Sequence, residues 1–176
     1  GKLLFQKSLD LTQGTVSSVP VANLQQGESP VVSVSPSFNE QEYYSSITAV
    51  EPSELFSPGT QKTVRNPFLP DTQRPHVFKV GDTDGGDLQT AVDAKVGRMF
   101  ANAISYTVVV NTWRDEERNI WEPNTVVRLT APGAMIYEPY SFIIRSVKLE
   151  RDSVSEVATL NLMLPGGFSG QIPKRL

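Results

Sequence analysis

With 176 residues, the chain can form one large domain or two small ones, since domains typically run to ~100–150 residues. A net charge of -3 gives no electrostatic reason to bind nucleic acid or an anionic membrane, and the lack of cysteine excludes disulfides and thiolate metal sites. No apolar run approaches the ~20 residues of a membrane span. Hydrophobic residues make up 39% and charged residues 20%, with 13 prolines, a balance that suits strands, turns and long connections.

The opening Gly1-Lys2-Leu3-Leu4-Phe5 lacks the apolar core and small-residue cleavage site of a signal peptide. With no initiator Met, the chain is expected to be a piece of something longer. Residues 1–50 read as strands between polar turns. Lys2 to Lys7 is a first strand candidate, Val31, Val32 and Val34 form an apolar stretch that Pro36 is expected to end, and Tyr43, Tyr44, Ile47 and Val50 make the next strand. Residues 51–76 carry recurrent proline (Pro52, Pro58, Pro67, Pro70, Pro75), which cannot sit in a central strand, so this stretch is expected to be a long surface loop.

A helix is expected over 87–103. Leu88, Val92, Val96, Met99 and Ala103 recur at helical spacing as one apolar stripe, and the Asp82–Asp87 turn can cap its start. Residues 104–164 then read as antiparallel strands. Ile104, Tyr106, Val108 and Val110 share one face of the first, a polar turn follows at Arg114–Asn119, and further strands cover 125–130, 140–150 and 155–164. Leu160, Leu162 and Leu164 share a face of the last. Residues 167–176 are a Gly- and Pro-bearing tail without a core pattern. The expected fold is α+β, mainly β, with a mixed domain over 1–103 and a small antiparallel β-barrel over 104–166.

Little in the sequence points to chemistry. The single histidine, His76, has no nucleophile motif beside it. Asp82-Thr83-Asp84-Gly85-Gly86-Asp87 fails the calcium-loop spacing, with Asp87 at the sixth position and Asp93 at the twelfth. Glu116, Glu117, Glu122 and Asp152 read as solvated turn residues rather than a carboxylate pair. Gly85-Gly86 and Gly166-Gly167 lack the spacing of a phosphate loop. No catalytic residue, metal ligand or cofactor is assigned. Trp113 and Trp121 flank the polar turn, and if that turn closes a hairpin their indoles can pack on each other or on the barrel mouth.

The stretch Val110-Asn111-Thr112-Trp113-Arg114-Asp115 followed by Ile120-Trp121-Glu122-Pro123-Asn124-Thr125-Val126-Val127 resembles the C-terminal domain of Mu-like phage tail proteins, which supply the baseplate hub of contractile tails. Phe142–Val147 and Ala158–Pro165 are similar to that family's last two strands. Asn23–Glu28, Val32–Ser35, Asn39–Ser45, Arg74-Pro75 and the helix resemble its middle region. Glu117-Arg118-Asn119 departs from the family, which commonly places a glycine there. The resemblance implies the C-terminal half of a hub that forms a ring, a homotrimer in the full-length protein, joining tail tube and spike proteins. Its location would be the virion baseplate, after assembly in the host cytoplasm. It implies no catalytic residue. Trp113, Trp121, Tyr137 and Tyr140 are the candidate interface aromatics. Two other readings are a carbohydrate- or receptor-binding β module of a virion, and a cell-wall hydrolase, which would need His76 or Glu122.

Overall fold

The computed structural model describes residues 19–39, 44–51, 59–66, 74–80 and 88–165. These form a curled six-stranded sheet and a three-stranded sheet backed by one helix. The strand candidate at Lys2–Lys7, the Asp82–Asp87 turn, much of the Pro-rich stretch and the 167–176 tail lie outside the described residues.

The large sheet has β1 (Ala22–Gln25), β2 (Val31–Phe38), β6 (Ile104–Val110), β7 (Val126–Ala131), β8 (Ile136–Arg151) and β9 (Glu156–Met163), in the order β1-β7-β8-β9-β6-β2. Strands β7, β8 and β9 form an antiparallel meander, and β6 pairs with β9 rather than with its sequence neighbour β7. The first and last strands of the 104–164 stretch thus lie side by side, as in a barrel, and the seam falls between β6 and β7. Two strands from upstream fill that seam: β1 adds to β7 in parallel, and β2 adds to β6 antiparallel.

Curling follows from chain length. β1 and β2 are the outermost strands, yet only Gln26–Pro30 joins them, folded into turns closed by Glu28 N–H to Gln25 C=O (3.1 Å) and Val31 N–H to Glu28 C=O (2.8 Å). At ~3.5 Å per extended residue, such a link cannot cross the width of a flat six-stranded sheet with ~4.8 Å strand spacing. The edges must therefore approach each other, and the connection spans the gap that hydrogen bonds leave. Gly27, at φ +87°, supplies the left-handed backbone this turn requires.

Pro36 does not end β2, as the sequence suggested. The strand continues to Phe38, and Pro36 pairs opposite Tyr106. Proline is tolerated there because β2 is an edge strand with a neighbour on one side only. The concave face holds the main core, with Tyr106, Val108, Val110, Leu129, Phe142, Ile144, Leu160 and Leu162 all buried. A smaller cluster of Val126, Ile143 and Met163 lines up across β7, β8 and β9 on the other face.

The smaller sheet has β3 (Ser46–Val50) at its centre, antiparallel to β4 (Gln61–Arg65) and parallel to β5 (Pro75–Lys79). Helix α1 (Leu88–Ala103) packs on it. The expected stripe holds, since Leu88, Val92, Val96, Met99 and Ala103 are all buried. Ile47 meets Val96 and Met99, while Ala49 and Val80 meet Leu88 and Val92. β4 corrects the reading of 51–76 as a loop. It is a mostly exposed edge strand in which Val64 is the one apolar side chain, so no alternation marks it. Asn66, which follows it, is buried and donates its side-chain N–H to the Tyr44 carbonyl at 3.0 Å. At the C-terminal end of α1, the Ala103 carbonyl accepts the Asn39 N–H at 2.8 Å, which ties the helix end to the end of β2.

Among the described residues, one buried side-chain polar atom has no partner: the hydroxyl of Tyr106, a residue 1% exposed. Its ring sits edge-on to Phe142, with centroids 5.1 Å apart, and burial raises its pKa. A buried donor without an acceptor costs ~1–3 kcal/mol. Tyr106→Phe is therefore expected to leave the melting temperature unchanged or raise it by a few degrees. A drop of several degrees on thermal unfolding would show that the hydroxyl is bonded.

A candidate docking groove at the β1 edge

β1 alternates buried Ala22 and Leu24 with exposed Asn23 and Gln25. β7 occupies one of its edges. The Asn23 N–H points the other way and donates to Glu116 Oε1 at 2.7 Å, across 93 residues of sequence. Glu116 reaches it because the Arg114–Asn119 turn is held in one shape. Asp115 Oδ1 accepts the N–H groups of Glu117 (3.0 Å) and Asn119 (2.8 Å), the arrangement that makes Asp a turn residue. The Asp115 N–H donates to the Asn119 carbonyl at 2.9 Å, and Arg118 takes φ 69° to close the turn. Arg114 Nη1 donates to the Arg118 carbonyl at 2.7 Å.

The two tryptophans brace this turn from different sides. The Trp121 N–H bonds the Trp113 carbonyl at 3.0 Å, and Arg114 bridges to Ile120. The Trp121 side chain, 3% exposed, enters the main core and donates Nε1 to the Thr112 carbonyl at 2.9 Å. Trp113 is half-buried and shares its Nε1 proton between the carbonyls of Glu150 (3.1 Å) and Val157 (3.0 Å), which clamps the β8–β9 hairpin. Each indole thus has its own backbone anchor. Of the other candidate interface aromatics, Tyr137 is 72% exposed on β8. Tyr140 is half-buried against Phe142, and burial, then the neighbouring Tyr106, raises its pKa.

Between β1 and the turn lies a groove of ≈ 610 Å³. Ala22, Leu24, Pro30 and Trp121 give it apolar walls, and Asn23, Thr112, Arg114, Asp115, Glu116 and Arg118 give it a polar rim. The rim carboxylates are engaged with backbone N–H groups, as described. The ion pairs among the described residues are Lys148–Glu150 and Arg151–Glu156, both on the β8–β9 hairpin, so neither the Arg114 nor the Arg118 guanidinium has an acidic partner there.

The remaining candidates stay dispersed. His76 sits on β5 between the rings of Tyr44 (4.7 Å) and Phe78 (6.4 Å), in the helix-backed layer. Glu122 lines a smaller pocket below the turn on the other layer. Asp152 caps the β8–β9 turn; the backbone N–H groups of Val154 and then Ser155, followed by the Ser155 hydroxyl, lower its pKa. Among the described residues no group of three His, Asp or Glu is placed to hold a metal ion. The groove itself was not anticipated. Glu116 was read as a solvated turn residue, and nothing in the local pattern announces a partner on β1.

No family model and no curated protein matches the sequence. Solved structures do match the fold. The 43 kDa tail protein of prophage MuSo2 from Shewanella oneidensis superposes with a TM-score of 0.68 at 16% identity, over 84% of this chain and 44% of that one. A tail protein from Neisseria meningitidis MC58 superposes with a TM-score of 0.69 at 16% identity, over 89% of this chain and 48% of that one. The chain thus spans less than half the length of either protein, and over most of its own length it has the fold that both contain.

Proposed function

We propose that the chain is a non-catalytic structural component of a phage-type tail: part of a baseplate hub that forms a ring between the tail tube and the central spike. The observation that carries this reading is the agreement in fold, over 84% and 89% of this chain, with two phage tail proteins, each with a TM-score near 0.7. The Trp-Arg and Trp-x-Pro-Asn elements at 113–114 and 121–124 point to the same class from sequence. In this reading the full-length protein is a trimer and its partners are tube and spike proteins. Closed rings arise from head-to-tail contacts, and both sheets offer edge strands to build them.

The oligomeric state tests the ring. Light scattering of the full-length protein is expected to give three times the protomer mass. A strictly monomeric protein at all concentrations would remove the ring from the account. Glycan binding through a solvent-exposed aromatic such as Tyr137 would instead favour the receptor-binding reading.

A further inference from the structure

We infer that both edges of the six-stranded sheet are blocked against strand addition, β1 by the Glu116 carboxylate and β2 by Pro36, so that copies of the chain do not join through them. This goes beyond the hub reading and does not depend on it; within that reading it leaves strand-edge contacts to β4 and β5.

An exposed strand edge is a template for another strand, because it presents a row of unpaired N–H and C=O groups. β1 and β2 are the outer strands of the sheet, each with a neighbour on one side only. On β1 the Asn23 N–H faces away from β7 and donates to Glu116 Oε1 at 2.7 Å. Two residues on, and so on the same side, the Gln25 carbonyl accepts the Glu28 N–H at 3.1 Å. Gln25 Nε2 braces that turn by donating to Glu28 Oε1 at 2.6 Å. The Glu116 bond is not what shapes its own turn, since Asp115 and the carbonyls of Arg118 and Asn119 already close it. Nor does an exposed N–H require a protein acceptor, because water serves. What the carboxylate does is occupy the place of an incoming carbonyl and set a negative charge against it.

On β2 the block is covalent. The Asn39 N–H bond to the Ala103 carbonyl continues the β2–β6 ladder one step past Phe38 and Ile104. Bonded and non-bonded positions alternate in an antiparallel pair, so Ser37 and Ser35 face β6 while Phe38, Pro36 and Val34 turn their backbone outward. Pro36 therefore costs the ladder to β6 nothing and removes the middle donor of the free edge. The donors that remain, on Val34 and Phe38, stand ~14 Å apart, twice the ~7 Å repeat at which an antiparallel partner bonds. Val32 and Phe38 are exposed apolar residues on this strand, so an edge without the block would invite association.

The test compares the whole chain with Glu116→Ala, Glu116→Gln and Pro36→Val, by sedimentation velocity over a concentration series and by amide hydrogen exchange. Glu116→Ala and Pro36→Val are expected to form species larger than those of the unaltered chain, at several-fold lower concentration, and the double variant larger ones still. Glu116→Gln keeps an acceptor oxygen for the Asn23 N–H and is expected to stay at the unaltered mass. In dilute Glu116→Ala the Asn23 amide is expected to exchange faster, and to become protected as concentration rises and a second strand replaces the carboxylate. For Pro36→Val the same rise in protection is expected at residues 34–38. Where Pro36→Val fails to fold, Glu116→Ala decides alone. The inference is overturned if Glu116→Ala sediments as the unaltered chain at every concentration. It is also overturned if its larger species protect amides away from β1, which would make them products of general destabilisation.

Discussion

Trp121→Ala is expected to lower the unfolding free energy by about 3–5 kcal/mol, the usual cost of truncating a large buried aromatic. For a chain of this size that corresponds to roughly 6–20 °C in melting temperature. The side chain is 3% exposed and lies in the main core with Leu24, Val110 and Ala158. Three losses add up. The apolar burial disappears and a cavity remains, because neighbours on three strands cannot all collapse into it. The Thr112 carbonyl loses the indole donor at 2.9 Å. The Arg114–Asn119 turn loses the anchor that fixes its base, so the groove loses a wall as well. Trp121→Phe separates these contributions. It keeps most of the ring and removes the hydrogen bond, and is expected to cost less than half as much. Chemical denaturation of the three proteins checks this, and a loss below about 1 kcal/mol for the alanine variant would show that the indole is not a core element.

Val96→Asp tests how the two layers share stability. Val96 is fully buried between α1 and β3, against Ile47 and Met99, and no cation among those contacts can pair with a carboxylate placed there. Burying an unpaired charge costs several kcal/mol, enough to unseat the helix from its sheet. The helix-backed clusters are distinct from the core of the six-stranded sheet. Loss of the helical circular dichroism signal is therefore expected while tryptophan emission stays native, since Trp113 and Trp121 both belong to the larger layer. Simultaneous loss of both signals would show one cooperative unit.

Where the sequence was legible, burial and periodicity were local. The α1 stripe, the β6 alternation and the leucine face of β9 each follow from side chains whose spacing matches the period of one element, and all are buried as expected. Where it was not, pairing was remote or the element lay at an edge. β1 is four residues long and joins β7 in parallel across more than a hundred positions, a register no local pattern encodes. β2 was disguised by Pro36, which only an edge position tolerates. β4 was hidden because a mostly exposed strand with Val64 as its one apolar residue has no alternation to read. The candidate groove was invisible for the same reason: Asn23 and Glu116 meet only because β1 has crossed to the seam between β6 and β7. The tryptophans were singled out as candidate interface aromatics whose indoles can pack on each other or on the barrel mouth. What spacing could not supply was their separate hydrogen-bond anchors, on Thr112 for one and on Glu150 and Val157 for the other.

Cryo-electron microscopy of intact tail particles carrying the full-length protein tests the central claim most directly. The account predicts density for the half-barrel and its helix-backed layer in a threefold ring where the tube meets the spike. Density confined to peripheral fibres, or particles that lack the protein altogether, would contradict it.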